Sequence, residues 1–350
     1  MADPKIRIEG LYKIFGPNPA AAIELVRQGV SKQEMLDAND HVVGLKDINL
    51  DMAGQSIQVV MGLSGSGKST LIRHINRLIE PTAGRVLIDG QDVAQMSKDE
   101  LRDFRRHQAS MVFQRFALLP HRTVAQNVAF GLNIQGLDSG EVDARVARWI
   151  ERIGLGGYEN HYPGHLSGGM QQRVGLGRAL ATDADILLMD EAFSALDPLI
   201  RYDMQSVLLD LQAELNKSIV FITHDFDEAL RIGDSIAILR DGEVVQQGDP
   251  QSIVLNPADD YVTDFVKGIN RGKVIKVATI MRPATDDTEG PKVDGDMLLE
   301  DVARLMTRED TGWARVVGAS GAVIGVVSTA DVMGSMVRLA NDDDTAEAAQ

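Results

Sequence analysis

The stretch GLSGSGKS at 62–69 limits the fold more than any other part of this chain. It follows the apolar run IQVVM (57–61) and leads into TLIRHI (70–75), a helix-forming run. A strand that turns on glycines into a helix leaves successive backbone N–H groups pointing at one spot, with the positive end of the helix behind them. The pattern G-x-x-x-x-G-K-[ST] in that setting describes a phosphate-binding loop. Gly62, Ser64, Gly65, Ser66, Gly67 and Thr70 supply the cradle, Lys68 reaches the β- and γ-phosphates, and Ser69 is a candidate ligand for Mg²⁺.

Two further strand-like runs, ILLMDE (186–191) and IVFITH (219–224), are separated by a helix. Alternating strands and helices predict an α/β core with a mostly parallel sheet. Residues 5–15 alternate as expected of an edge strand, and 44–51 read as a second strand. Between them, 17–43 reads as a helical insertion: 20–27 favours helix, and Ser31 to Glu34 forms a capping box. A helix-rich stretch at 98–164 predicts a helical subdomain between sheet strands.

At 350 residues the chain exceeds one ordinary core. The plan is a main domain over 1–267, a linker at 268–273, a small α/β domain over 274–338 and an acidic tail at 339–350.

A formal net charge of −16 argues against nucleic acid as a partner. With no cysteine, disulfides and thiolate metal sites are excluded. No apolar run is long enough for a membrane span, and no secretory leader precedes the first strand. A cytosol-facing protein follows.

The run at 186–191 carries Asp190 and Glu191 to the sheet edge where the phosphate loop lies. Asp190 suits indirect Mg²⁺ binding, and Glu191 suits the general base that polarises an attacking water. The LSGGMQ stretch (166–171) opens another helix, so Ser167, Gly168, Gly169 and Gln171 form a second anion-binding turn.

These pieces, in this order with Gln114, SALD (194–197) and His224, resemble the ATP-binding cassette family. The resemblance spans about residues 5–265. It implies a P-loop ABC ATPase that binds ATP and Mg²⁺ as a head-to-tail homodimer. Ser167 and Gly169 of one copy then face the γ-phosphate held by Lys68 of the other. Gln114 is implied to sense the metal and the water, Asp197 to communicate across the interface, and His224 to touch the γ-phosphate. Phe15, with Tyr12 as competitor, is implied to stack on adenine. The stretch 114–128 is implied to line a cleft for a membrane subunit, through Phe116, Leu118 and Leu119.

More narrowly, LYKIFG (11–16), the insertion, MGLSGSGKS (61–69), NRLIEP (76–81) and DEAFSALDPLIR (190–201) resemble the ATPase subunits of glycine betaine, proline and choline importers, the ProV-like group. That likeness implies integral membrane permease subunits, a separate extracytoplasmic substrate-binding protein, and a peripheral location on the cytoplasmic face of the inner membrane. The C-terminal domain resembles one CBS motif. Ser328 and Asp331 are its matched candidates for a regulatory ligand, with a purely structural role as the alternative.

Overall fold

The computed structural model describes residues 3–114, 117–194, 196–284 and 289–337. Phe116 and the acidic tail lie outside them. Cα packing divides the chain at Asp249/Pro250 into two compact units.

In the first unit, β1 (Ile6–Phe15) and β2 (Val42–Met52) pair antiparallel. Their register shifts near Gly10, which holds φ +52° and donates its N–H to Asn49 Oδ1 at 2.8 Å. The insertion forms α1 (Pro19–Arg27) and α2 (Lys32–Asn39). Asn18 caps the first, and the expected box of Ser31 and Glu34 opens the second. Ala22, Val26 and Met35 pack on Ile14 and Val43, so the insertion carries an apolar cluster of its own.

The expected edge position of β1 is corrected. After β3 (Ile57–Met61) and α3 (Lys68–Ile75), the hairpin of β4 (Ala83–Ile88) and β5 (Gln91–Asp92) supplies another partner, giving the order β2-β1-β4-β5. Val86 and Ile88 face the core from β4 while Gly84 and Arg85 are exposed, which leaves its alternation too short to stand out in the sequence.

Helix α4 (Lys98–His107) precedes β6 (Ala109–Val112). Next come α5 (Val124–Gln135), α6 (Ser139–Arg152) and α7 (Gly168–Ala181). Strand β6 therefore interrupts the helix-rich stretch. Strands β7 (Ile186–Asp190), β8 (Ser218–Thr223) and β9 (Ser235–Arg240) alternate with α8 (Pro198–Leu215) and α9 (Phe226–Ile232), and β10 (Glu243–Gly248) closes the unit. The sheet order is β10-β9-β3-β8-β7-β6, parallel except at β10.

Every residue of β3, β7 and β8 is buried, as expected for parallel strands covered on both faces. Leu71, Ile72 and Ile75 of α3 share one core with Ile8 and Leu50 of the antiparallel sheet and Leu188 and Ile222 of the parallel one. Because β3, β8 and β7 run side by side in one direction, with Met61 opposite Thr223 and Asp190 opposite Ile222, their following loops meet at one edge.

The second unit opens with α10 (Pro250–Leu255) and α11 (Asp260–Val266). The sequence places these helices before the boundary at 267, but Leu255 packs against the C-terminal apolar core. The stretch 268–273 includes a 3₁₀ turn, Arg271–Lys273, whose Gly272 is buried against Met336. Strands β11 (Lys292–Asp294), β12 (Trp313–Val317) and β13 (Val323–Ser328) form one sheet, with α12 (Leu299–Arg308) between the first two in sequence and α13 (Thr329–Met336) after the last.

Candidate functional site

The loop after β3 has a backbone that only glycine tolerates at two points of close approach. Gly62 holds φ +150°, and a Cβ there would sit 2.2 Å from the Leu239 carbonyl oxygen of β9. Gly67, at φ +104°, would bring a Cβ within 2.7 Å of the Gly44 carbonyl oxygen. Gly67 is also the N-cap of α3 and has no side chain, so the first-turn N–H groups of that helix have no side-chain cap.

Lys68 is 4% exposed and folds back over the loop. Its Nζ donates to the carbonyls of Gly62 at 2.7 Å and Leu63 at 2.9 Å. Burial pushes this ammonium below its usual range, against the opposing pull of Glu191 and Asp190. Ser64 and Gly65 are exposed, whereas the Ser66 hydroxyl is buried and has no hydrogen-bond partner. A buried ammonium, an orphaned hydroxyl and an uncapped helix start fit a bound phosphate chain. Thr70 lies one turn in, and its carbonyl oxygen is 2.7 Å from His74 Nδ1. Burial lowers the His74 pKa to about 4.

At the end of β7, Asp190 is 2% exposed and both its oxygens are engaged. Ser69 Oγ donates to Oδ1 at 2.7 Å, and Arg73 Nη2 donates to Oδ2 at 3.1 Å. Arg73 was missed in the sequence. Its signal is the i,i+4 spacing from Ser69, which puts both on one helix face. Among the described residues no group of three His, Cys, Asp or Glu could hold a metal alone. The Ser69–Asp190 pair is an oxygen donor set suited to Mg²⁺ that takes further ligands from phosphates and water.

The next residue, Glu191, sits at φ +47°, a left-handed conformation uncommon for a side-chain-bearing residue. Its N–H donates to the Ile222 carbonyl at 3.1 Å, and its own carbonyl accepts from Ser194 Oγ at 2.9 Å. This bend presents the carboxylate to two neighbours. Gln114 Nε2 donates to Glu191 Oε2 at 2.9 Å, and His224 Nδ1 lies 3.7 Å from the same oxygen. Three residues far apart in sequence thus converge on one atom.

Ser167 caps α7, accepting from Met170 N at 3.3 Å, and Gly168 and Gly169 form the first helical positions. A Cβ on Gly169 would meet Ile200 Cγ2 at 2.7 Å. Gln171 Nε2 donates to the carbonyls of Pro163 and Leu166, which braces the turn from behind. The Ser167 hydroxyl bonds to its own helix and not to the phosphate loop of the same chain. Asp197 caps α8, accepting from Ile200 N at 3.1 Å. Phe15 is 40% exposed at the end of β1, with its Cε2 2.8 Å from where a Gly44 Cβ would stand. Gly44 in turn abuts Gly67, so Phe15 is two steps from the loop. Tyr12 is partly covered by the insertion, with the Arg27 guanidinium 5.5 Å from its ring centre.

Phe113, the residue before Gln114, lines a groove of about 750 Å³. Met111, Phe113, Leu119, Phe130 and Ile134 give it an apolar floor, and Lys98, Arg102, Arg105, Arg106 and Arg178 line it with positive charge. Leu119 lines the groove; Leu118 is half-buried.

In the second unit, Ser328 and Asp331 bond to each other as a capping box opening α13, and Arg282 pairs with Asp331. Burial raises the Asp331 carboxyl, but hydrogen bonds from Ser328 and Arg282 together outweigh it and hold the group below its usual range.

Residues 45–194 match the family described as ABC transporter. Over 291 residues the chain is 52% identical to the glycine betaine transport ATP-binding protein OpuAA of Bacillus subtilis, covering 83% of this chain and 70% of that one. The chain belongs to the ABC transporter family. This ABC ATPase is also 48% identical over 331 residues to the glycine betaine/carnitine transport ATP-binding protein GbuA of Listeria monocytogenes, covering 94% of this chain and 81% of that protein. It is 53% identical over 278 residues to the glycine betaine/proline betaine transport system ATP-binding protein ProV of Escherichia coli, covering 79% of this chain and 70% of that one. A bacterial ABC transporter cassette solved as a dimer superimposes with a TM-score of 0.60 at 32% identity, covering 70% of this chain and 98% of the other. As an ABC ATPase of the ProV-like group, the chain couples ATP hydrolysis to substrate transport. Among its described residues no helix is long and apolar enough to cross a membrane.

Proposed function

We propose that this ABC ATPase drives import of a quaternary amine such as glycine betaine through a separate membrane permease. It would work as a homodimer on the cytoplasmic face of the membrane, supplied by an extracytoplasmic substrate-binding protein. The carrying observation is the 48% identity to a glycine betaine/carnitine transport ATP-binding protein across 94% of the chain.

ATP is the substrate. Lys68, the N–H groups around Ser64 to Thr70, and the Ser66 hydroxyl bind its phosphates, and Phe15 stacks on the base. Ser69 and Asp190 hold Mg²⁺, which supplies charge neutralisation at the phosphate oxygens. Gln114 and His224 orient the Glu191 carboxylate, which takes the proton of the attacking water. Ser167, Gly168 and Gly169 of a second copy close on the γ-phosphate, with Gln171 stiffening their turn and Asp197 at the interface. Closure of the two copies moves the permease. The basic, apolar-floored groove next to Gln114 is the docking cleft for a permease segment, so movement there reaches the Glu191 carboxylate through one side chain. The C-terminal unit is a CBS-like regulatory domain, in which Ser328 and Asp331 are the candidate ligand positions.

The test is reconstitution with the cognate permease and binding protein. ATP-dependent uptake of labelled glycine betaine, competed by other betaines and not by methionine, is expected. Uptake of methionine alone would overturn the substrate assignment.

A further inference from the structure

Arg201 stands one helical turn into α8, four residues after Asp197, and its side chain turns back beneath the loop it has just left. Its Nη2 donates to the Leu196 carbonyl at 3.2 Å, and its Nη1 donates to Asp225 Oδ2 at 2.9 Å. Leu196 immediately precedes Asp197, and Asp225 immediately follows His224. One guanidinium therefore ties the turn carrying Asp197 to the turn carrying His224.

Asp225 is held firmly at its other end. Its Oδ1 accepts from Glu228 N at 3.1 Å, capping α9, and its own N–H donates to Thr223 Oγ1 at 3.0 Å. The carboxylate cannot follow Arg201 without moving the backbone that carries His224. The Arg201 Nε is buried and has no hydrogen-bond partner among the described residues. A planar fork that meets a carbonyl and a carboxylate at once is a task for arginine, since the lysine ammonium is a single point charge.

We propose that Arg201 is a positioning residue that transmits engagement of the Leu196–Asp197 turn to His224, so that Glu191 and His224 reach their working geometry only when that turn is pressed by a second copy. The inference rests on the head-to-tail dimer proposed above. It concerns the rate of the bound state and not the affinity for ATP, because the hydrogen bonds of Arg201 go to Leu196 and Asp225 and not to the phosphate loop.

The test uses the full-length chain with Arg201→Gln, Arg201→Lys, Asp225→Asn and the Arg201→Gln/Asp225→Asn double variant. Nucleotide affinity is measured with a fluorescent ATP analogue, and kcat and KM by phosphate release. Arg201→Gln is expected to lower kcat about tenfold or more with KM and nucleotide affinity changed less than twofold. Arg201→Lys should not restore the rate, and the double variant should be no slower than the slower single one, because both remove one link. Full kcat in Arg201→Lys, a rise in KM without loss of kcat, or multiplicative losses in the double variant would each overturn the proposal. ATP-dependent dimerisation of Glu191→Gln, measured in parallel, separates the two claims. If that variant dimerises while Arg201→Gln keeps its rate, only the link fails; if it stays monomeric with ATP, the dimer reading fails as well.

Discussion

Gln114 Nε2 donates to Glu191 Oε2 at 2.9 Å, so a residue just past β6, next in sequence to the groove-lining Phe113, directly restrains the carboxylate just past β7. The carboxylate is thus tethered within the single chain, and its charge is what the proposed proton transfer needs.

Replacing Glu191 by Gln keeps the shape and the contact with Gln114 but removes the base. Hydrolysis should fall about 10²- to 10⁴-fold. With ATP, the purified variant should elute as a dimer in size-exclusion chromatography, where the unsubstituted chain returns to monomer as ATP is consumed.

Lys68→Ala removes a donor that now serves two carbonyls and would serve the phosphates. Loss of one charge-assisted hydrogen bond, about 1.5–3 kcal/mol, predicts nucleotide affinity weaker by about ten- to a hundredfold. Titration with a fluorescent nucleotide checks this independently of turnover.

Gly62→Ala should act on stability and binding together. The added Cβ meets the Leu239 carbonyl, which is backbone and cannot swing aside. Strained φ plus overpacking predicts a loss of about 2–5 kcal/mol, read as a lower urea midpoint.

His74 gives a pH dependence with a definite sign. Its pKa in the folded chain is about 4, below the 6.5 of an exposed histidine. Between those values the unfolded chain binds more protons, so this contribution is present above pH 6.5 and is lost as pH falls towards 4. At pH 5 the loss amounts to about 2 kcal/mol. Comparing urea midpoints at pH 7 and pH 5, His74→Gln should narrow the difference.

Ser328→Ala breaks the capping box of α13. A loss of about 1 kcal/mol is expected for the C-terminal unit, visible as an earlier thermal transition. Basal turnover without a regulatory ligand should stay unchanged, since Ser328 belongs to neither the phosphate loop nor the Glu191 site.

Much of the site is legible because the chemistry forces local spelling. The turn at Gly62 to Ser69 admits few residues at its close approaches, and the carboxylates at 190 and 191 sit directly after an apolar run. The coupling arginines are not legible in the same way. Arg73 and Arg201 look like ordinary helix-surface residues until the fold brings Asp190 and Asp225 to them across 117 and 24 positions. The misplaced edge strand has a similar cause: nothing within residues 5–15 says that 83–88 will return beside them. The division at 249/250 depends on which core receives Leu255, and that is a tertiary fact.

Helices α1 and α2 cover β1 and β2 through a small cluster of Ile14, Ala22, Val26, Met35 and Val43, with Tyr12, Ile23, Leu25 and Val30 packed against it. Evolution can therefore splice this helical pair into or out of a cassette without rewriting the sheet behind it. A lineage that lost the pair would have to make Tyr12, Ile14, Val43 and their neighbours tolerate water, which marks those positions as the scar to look for.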